Sequence, residues 1–192
     1  MGVYGVKCVL IGDHAVGKTS LLLTYTSKVF PSPRAPVLLD PFKVHITAAG
    51  KQHTLHLWDT TYEQGYTRMC PTWYAQTDVF LLCFSIASPN SFDDILEKWL
   101  PGVRHTRPQV PCVIVGTKVD LREDPGTKDE LARVGMSPVG YKDGVRMAEA
   151  HGLWYVECSA RTRENLDAVF DLAVTTGLQC SGTAKKHRCR IL

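Results

Sequence analysis

The chain predicts an α/β fold: a six-stranded, mostly parallel sheet with about five helices in three layers. Three observations predict it. Apolar runs of strand length alternate with stretches of helical pattern. The first run joins the first helical stretch through a glycine-bearing loop, Gly12 to Gly17. Two later runs, Asp78 to Ser85 and Pro111 to Gly116, are almost continuously apolar, as strands covered on both faces are.

The elements follow in order. Val6 to Ile11, interrupted only by Lys7, is a buried strand, and Leu21-Leu22-Leu23-Thr24-Tyr25 opens a helix. Ser27 to Pro41 carries prolines at 31, 33, 36 and 41, a density that forbids regular helix and marks a long loop. Phe42, Val44 and Ile46 alternate with polar neighbours. The chain turns at Ala49-Gly50 and returns through Thr54 to Trp58 as the antiparallel partner. Between the two apolar runs lies a helix over Ser91 to Arg104. Its inward stripe is Phe92, Ile95, Leu96, Trp99 and Leu100, with Asn90 or Ser91 as its cap. Leu121 to Val139 is charged and broken by Pro125, Gly126 and Pro138, with Leu131, Val134 and Met136 for burial; it predicts an extra, short surface helix. Tyr141 to Ala150 is another helix and Trp154 to Cys158 a last strand. Asn165 to Leu178 closes the fold, turning Leu166, Val169, Phe170 and Ala173 inward. The domain is expected over 1–179, and 180–192 as a flexible tail without a core face.

The bulk numbers bound the function. A chain of 192 residues suits one well-packed domain. A net charge of +3 is too small to argue for nucleic acid, and much of it is local, in Lys185, Lys186, Arg188 and Arg190. The 7 cysteines are odd in number and lack paired metal spacing. Cys8, Cys83, Cys112 and Cys158 sit in apolar runs and are expected as reduced core residues. No secretory signal opens the chain and no apolar run approaches the ~18 residues of a spanning helix.

Gly12-Asp13-His14-Ala15-Val16-Gly17-Lys18-Thr19-Ser20 fits G-x-x-x-x-G-K-[ST] between a strand and a helix, the context that separates the motif from a chance match. Backbone N–H groups and a positive helix end there suit a polyphosphate. Lys18 would reach the outer phosphates, and the Thr19 hydroxyl would ligate Mg²⁺. Thr117-Lys118-Val119-Asp120 follows a central strand at the edge where such sheets bind ligands. The Asp120 carboxylate can accept two hydrogen bonds from the N–H pair that guanine offers and adenine does not, with the Lys118 stem along the base. Glu157-Cys158-Ser159-Ala160 leaves the last strand on the same edge, where backbone N–H groups can meet a carbonyl oxygen. A strand-end Asp is ordinarily a cap or turn residue; three such features in chain order favour a guanine nucleotide. A nucleoside-phosphate kinase would share the first motif but leaves the second without a role.

At these residues the chain resembles the Rho family of Ras-superfamily small GTPases, closest to its Rac branch. Trp58-Asp59-Thr60, Gln76-Thr77-Asp78-Val79-Phe80, Val115-Gly116-Thr117-Lys118 and Asp120-Leu121-Arg122 extend the likeness, which runs from Val6 to the last residue. The charged stretch 123–137 is similar to the insert helix of Rho proteins. The resemblance implies a P-loop NTPase-type fold and GTP/GDP binding with Mg²⁺ by an expected monomer. It implies exchange factors, GDP-dissociation inhibitors and effectors as partners, and a link to the actin cytoskeleton. It also assigns roles. Gly12 to Thr19 hold the phosphates beside Ser20, and Thr19 binds Mg²⁺ with Asp59 acting through water. Phe30 packs on the guanine edge; Thr117, Lys118 and Asp120 hold the base, and Ser159 and Ala160 contact its oxygen. Thr117 stands where most of the superfamily has Asn.

The departures from that family cluster at the end phosphate. His14 replaces a glycine and crowds the space that a catalytic glutamine and an arginine finger share. The first switch, P-T-V-F-D-N-Y in the family, is here Pro36-Val37-Leu38-Leu39-Asp40-Pro41-Phe42; Val37 lacks the hydroxyl that would ligate Mg²⁺. The second, D-T-A-G-Q-E, is here Asp59-Thr60-Thr61-Tyr62-Glu63-Gln64. Tyr62 replaces a flexible glycine, and Glu63 puts a carboxylate at the water-positioning glutamine's place. Moving Gln64 into that role needs a gap the flanking match does not require. Hydrolysis is therefore expected to be impaired while binding survives. Two classes follow, a cycling signalling GTPase and a binding module held in one nucleotide state.

Cys189-Arg190-Ile191-Leu192 fits C-a-a-X with a final Leu, the geranylgeranyl type, though Arg190 is not aliphatic. One lipid plus the basic residues before it is the two-signal arrangement stable anchoring needs. The protein is thus expected in the cytosol and on the cytoplasmic face of membranes, the plasma membrane above all; Cys180 is a weaker lipid site. Basic residues without aromatic interleaving argue against nucleic acid as the partner. His53 and His56 invite a metal reading, with His45 across from His53, but lack a third ligand and are expected as solvated sheet histidines. Phe80, Phe84, Trp99 and Trp154 are expected in the core, and Tyr62, Tyr66, Trp73 and Tyr74 on a partner surface.

Overall fold

A computed structural model describes residues 4–32, 41–48, 51–60 and 74–181. Val37, Leu39, Tyr62, Glu63, Gln64, Tyr66, Trp73, the Ala49-Gly50 turn and the tail with Cys189 lie outside these residues. The strands are β1 (Tyr4–Gly12), β2 (Phe42–Ala48), β3 (Lys51–Asp59), β4 (Val79–Ser85), β5 (Cys112–Thr117) and β6 (Trp154–Glu157). They lie in the order β2-β3-β1-β4-β5-β6, and β2 alone is antiparallel to its neighbour. The helices are α1 (Lys18–Ser27), α2, α3 (Pro125–Arg133), α4 (Tyr141–Ala150) and α5 (Leu166–Ser181). α2 starts as Pro89–Asp94, passes through a π-helical turn at Ile95–Trp99 and ends as Leu100–Thr106.

The sheet is covered on both faces. Val6, Cys8 and Leu10 of β1 point, with Leu55, Leu57, Leu81 and Val113, towards α1 and α5. There Tyr25 stacks on Phe170 with ring centroids 3.9 Å apart. Val9, Ile11, Phe80, Leu82 and Ile114 point the other way, to Ile95, Leu100 and Val103 of α2 and Ala148 of α4. Two-sided burial explains why β4 and β5 are apolar throughout. Leu166, Val169, Phe170 and Ala173 are buried as the helical stripe predicts, and the four core cysteines are free thiols. Burial pushes the Cys8, Cys83, Cys112 and Cys158 thiols up, Cys112 to about 11, which leaves them unreactive at neutral pH.

Several expectations are corrected. Trp154 is 43% exposed, because β6 is the sheet's edge. Val134 and Met136 are exposed, since α3 buries no residue. Tyr74 is buried edge-on against Phe80 rather than presented to a partner. α2 begins at Pro89 with Ser88 at its N-cap, earlier than Asn90 or Ser91; Ser91 is buried, accepting from the Ser85 N–H and donating to the Ser88 carbonyl. The hairpin register sets His45 against Thr54 and Ile46 against His53, so the two histidines are not opposed. His53 is not solvated: it shares the inward face of Leu55 and Leu57 and is 3% exposed, with neither ring nitrogen hydrogen-bonded among the described residues.

Candidate nucleotide-binding site

The candidate residues gather along the carboxyl ends of β1, β3, β4, β5 and β6, the edge at which open α/β sheets bind ligands. β1 ends at Gly12, whose φ of +146° and close approach to β4 admit glycine alone: a Cβ there would lie 2.0 Å from the Cys83 carbonyl oxygen. The loop then turns through Ala15 in the left-handed region (φ 59°) and Gly17 (φ 104°) into α1, whose start no side chain caps. His14 and Ala15 are exposed on the loop, and Val16 is buried beneath it.

Lys18 is 4% exposed, and its ammonium donates to the Gly12 and Asp13 carbonyls at 2.8 and 2.6 Å. Burial lowers its pKa, opposed by the nearby charges of Asp59 and Asp13. Asp13 turns its carboxylate away from the loop's mouth. It accepts from the Trp99 indole at 2.9 Å and from Lys98 at 3.4 Å, so this side chain ties the loop to α2. Asp94 joins that cluster, its pKa raised by burial and by its hydrogen bond to Asp13. The Thr19 hydroxyl donates to an Asp59 carboxylate oxygen, bringing the ends of β3 and the loop together. Two hard oxygen donors side by side fit Mg²⁺, which takes one or two protein ligands and completes its shell with phosphate and water. Thr60 donates to the Leu10 carbonyl at 2.8 Å, fixing the chain as it leaves β3.

The segments expected to read the base meet the loop from the other side. Thr117 is buried, its hydroxyl set between the carbonyls of Val16 at 2.5 Å and Phe84 at 2.8 Å. It therefore braces the phosphate loop against β4 and β5. Lys118 adopts φ 59°, and its ammonium donates to the Ala15 carbonyl at 2.7 Å. Burial lowers the Lys118 pKa, against the pull of Asp120. Asp120 sits half-buried in the 3₁₀ turn Val119–Leu121. The Ser159 N–H donates to the Glu164 carbonyl at 3.0 Å and its hydroxyl accepts from the Thr162 N–H. Ser159 thus shapes the loop, and Ala160 lines the cavity beside it.

A cavity of about 160 Å³ lies between the start of α1 and these later segments, lined by Gly17, Ser20, Leu21, Phe30, Thr117, Lys118, Asp120, Leu121, Cys158, Ala160 and Arg161. Phe30, 47% exposed, stands at it from the loop after α1. Sequence reasoning passed over Arg161, whose place directly after Ser159-Ala160 was its only signal. It also passed over the ion pair of Arg122 with Glu157, in which the two guanidinium nitrogens reach separate carboxylate oxygens at 2.7 and 2.5 Å. Glu63, Val37 and Cys189 lie outside the described residues. The cavity sets the apolar side chains of Leu21, Phe30 and Leu121 beside Lys118, the Asp120 carboxylate, and Gly17 and Ser20 at the start of α1, the mix of apolar wall and few polar groups that a small-ligand site shows. The family model described as the Ras family matches residues 7–179, and the chain belongs to that family of small GTP-binding proteins.

Proposed function

We propose that the protein is a Rho-type, Rac-like member that holds GDP and GTP with Mg²⁺, hydrolyses GTP poorly, and works at membranes through a lipidated tail. The observation that supports the binding half is that Phe30, Lys118, Asp120 and Ala160 line one cavity together with Gly17 and Ser20, the residues on either side of Lys18 and Thr19 in the glycine loop. Lys18 would exchange the Gly12 and Asp13 carbonyls for phosphate oxygens, and Asp120 would accept from the two N–H groups on the guanine edge. The amide at Ala160 would donate to the base oxygen, with Phe30 and the Lys118 stem against its faces. Thr19 and Asp59 would hold Mg²⁺, which when bound neutralises phosphate charge. Partners by this reading are exchange factors, GDP-dissociation inhibitors and effectors. Cys189 would carry a geranylgeranyl group next to Lys185, Lys186 and Arg188.

The hydrolytic half rests on sequence. His14, Tyr62 and Glu63 replace the small and amide-bearing residues that give water and an arginine finger their places. Those contributions are worth roughly 10³–10⁵-fold in rate. The same three residues, with Val37, favour a second reading: a binding module held in one nucleotide state and regulated by abundance or partner.

The test is single-turnover cleavage of GTP by the purified, Mg²⁺-replete chain, with the resident nucleotide identified first. Guanine nucleotide is expected to be bound, and cleavage to stay slow when a Rac-type activating protein is added. Replacing His14→Gly, Tyr62→Gly and Glu63→Gln together is expected to raise the rate by at least about 10-fold. Rapid, activator-stimulated cleavage by the unmodified chain would refute the impairment.

A further inference from the structure

Arg122 stands two residues after Asp120, and Glu157 stands immediately before Cys158-Ser159-Ala160. The two side chains therefore join the segments that would read the base, and they join them with unusual completeness. Nη1 and Nη2 of Arg122 donate to Oε2 and Oε1 of Glu157 at 2.7 and 2.5 Å, while Nε donates to the Val139 carbonyl at 3.2 Å. The Tyr155 hydroxyl donates to Glu157 Oε1 at 2.5 Å. Glu157 is 7% exposed, so its charge is held by these groups rather than by solvent. The room they occupy is kept clear by a glycine: a Cβ on Gly116 would come within 3.0 Å of the Tyr155 hydroxyl and 3.2 Å of Glu157 Cγ.

The turn that carries Asp120 is fixed on its leading side by the Thr117 hydroxyl at the Val16 and Phe84 carbonyls and by the Lys118 ammonium at the Ala15 carbonyl. Its own bonds, Leu121 N–H to the Lys118 carbonyl and Arg122 N–H to the Val119 carbonyl, are local. A backbone bond from the Val119 N–H to the Cys158 carbonyl, 3.2 Å, links it to the β6 loop before Asp120. After Asp120 the link to that loop among the described residues is the Arg122 side chain. A two-point contact between a carboxylate and a base edge tolerates little misplacement, and a buried ion pair is weak evidence for a purely stabilising role.

We propose that Arg122, clamped by Glu157 and the Tyr155 hydroxyl, is a positioning residue that locks the Asp120 turn to the Ser159-Ala160 loop and so sets guanine specificity. This inference rests on the guanine-nucleotide reading above. Arg122 touches no ligand in it; it acts by holding the angle between two segments that do.

The experiment compares GDP with inosine diphosphate, whose base lacks the amino group that one of the two Asp120 contacts would bind. Affinities of both are measured for the full chain with Mg²⁺, and for Arg122→Lys and Tyr155→Phe, alongside their unfolding midpoints. The unmodified chain is expected to prefer GDP. Arg122→Lys, which keeps the charge and loses the fork, is expected to weaken GDP by roughly 10-fold, the order for groups that orient a contact residue. Inosine diphosphate should weaken less, so the preference narrows. Tyr155→Phe should narrow it in the same direction by a smaller factor, and it carries the comparison alone where Arg122→Lys does not fold. An unchanged preference in the folded variants, or an equal loss for both ligands, overturns the positioning role while leaving the guanine reading intact. An unmodified chain indifferent to the two nucleotides overturns the guanine reading and this inference with it.

Discussion

Lys18 is held almost out of water, with its ammonium against the carbonyls of Gly12 and Asp13. Burial lowers its pKa from 10.5, and the carboxylates of Asp59 and Asp13 recover part of the loss. In the ligand-free fold the ammonium form is thus penalised below that lowered pKa, and the penalty disappears as pH rises through it. A bound polyphosphate sets further negative charge against the same ammonium and raises its pKa again. Binding therefore takes up a proton in the alkaline window between the two values, and affinity falls as pH climbs through the free-state pKa. Calorimetric titration with GDP in two buffers of different ionisation heat, at a neutral and at an alkaline pH, should register net proton uptake that is larger at the alkaline pH. Proton release, or no uptake at either pH, would contradict the coupling. The placement of Lys18 beside its own loop was legible because the motif fixes its distance from Gly12 along that loop. The turn of the Asp13 carboxylate to Trp99 was not, since the partner is 86 residues away in sequence.

Among the elements, α4 is the one whose sequence misleads most simply. Gly144 lies inside the helix Tyr141–Ala150, where replacement by Ala ordinarily gains about 1 kcal/mol. Here a Cβ would fall 2.1 Å from the Tyr155 ring, because β6 lays that ring against the helix backbone. Gly144→Ala is expected to destabilise by roughly 1–3 kcal/mol in denaturant unfolding, the cost of overpacking a filled site. It should also disturb the hydroxyl that holds Glu157. A stabilised Gly144→Ala would mean the ring yields freely. The same contrast governs what was legible elsewhere. β1, the glycine loop and α1 follow from neighbours in sequence, and the β2–β3 hairpin from alternation. The exposure of Trp154 and the burial of His53 depend on strand order and on which helix covers which face, and neither is written in a local pattern. Arg122 and Glu157 are 35 residues apart and meet because β5 and β6 are neighbours.

At the scale of the whole molecule, the proposed function separates groups that would treat GDP and GTP alike from groups that would have to tell them apart. On the proposed reading Thr19, Asp59, Asp120 and Ala160 would address the metal and the base, which both nucleotides share. A ligand shifts a conformational equilibrium only by its differential affinity for the two states. For this pair that difference comes from contacts to the third phosphate. In the family, a threonine hydroxyl in the first switch and a glycine amide in the second supply them; this chain has Val37 and Tyr62 there. The nucleotides should therefore bind with closely similar affinity and leave the chain in closely similar states. Hydrogen exchange over residues 33–40 and 61–73 is expected to differ little between the GDP form and a non-hydrolysable GTP form. Restoring Val37→Thr with Tyr62→Gly should enlarge the difference by slowing exchange in the GTP form alone, because the added hydroxyl and freed amide gain partners only when the third phosphate is there. A marked GDP–GTP difference in the unmodified chain would mean that other groups sense that phosphate, and the protein would then be a switch despite its altered loops.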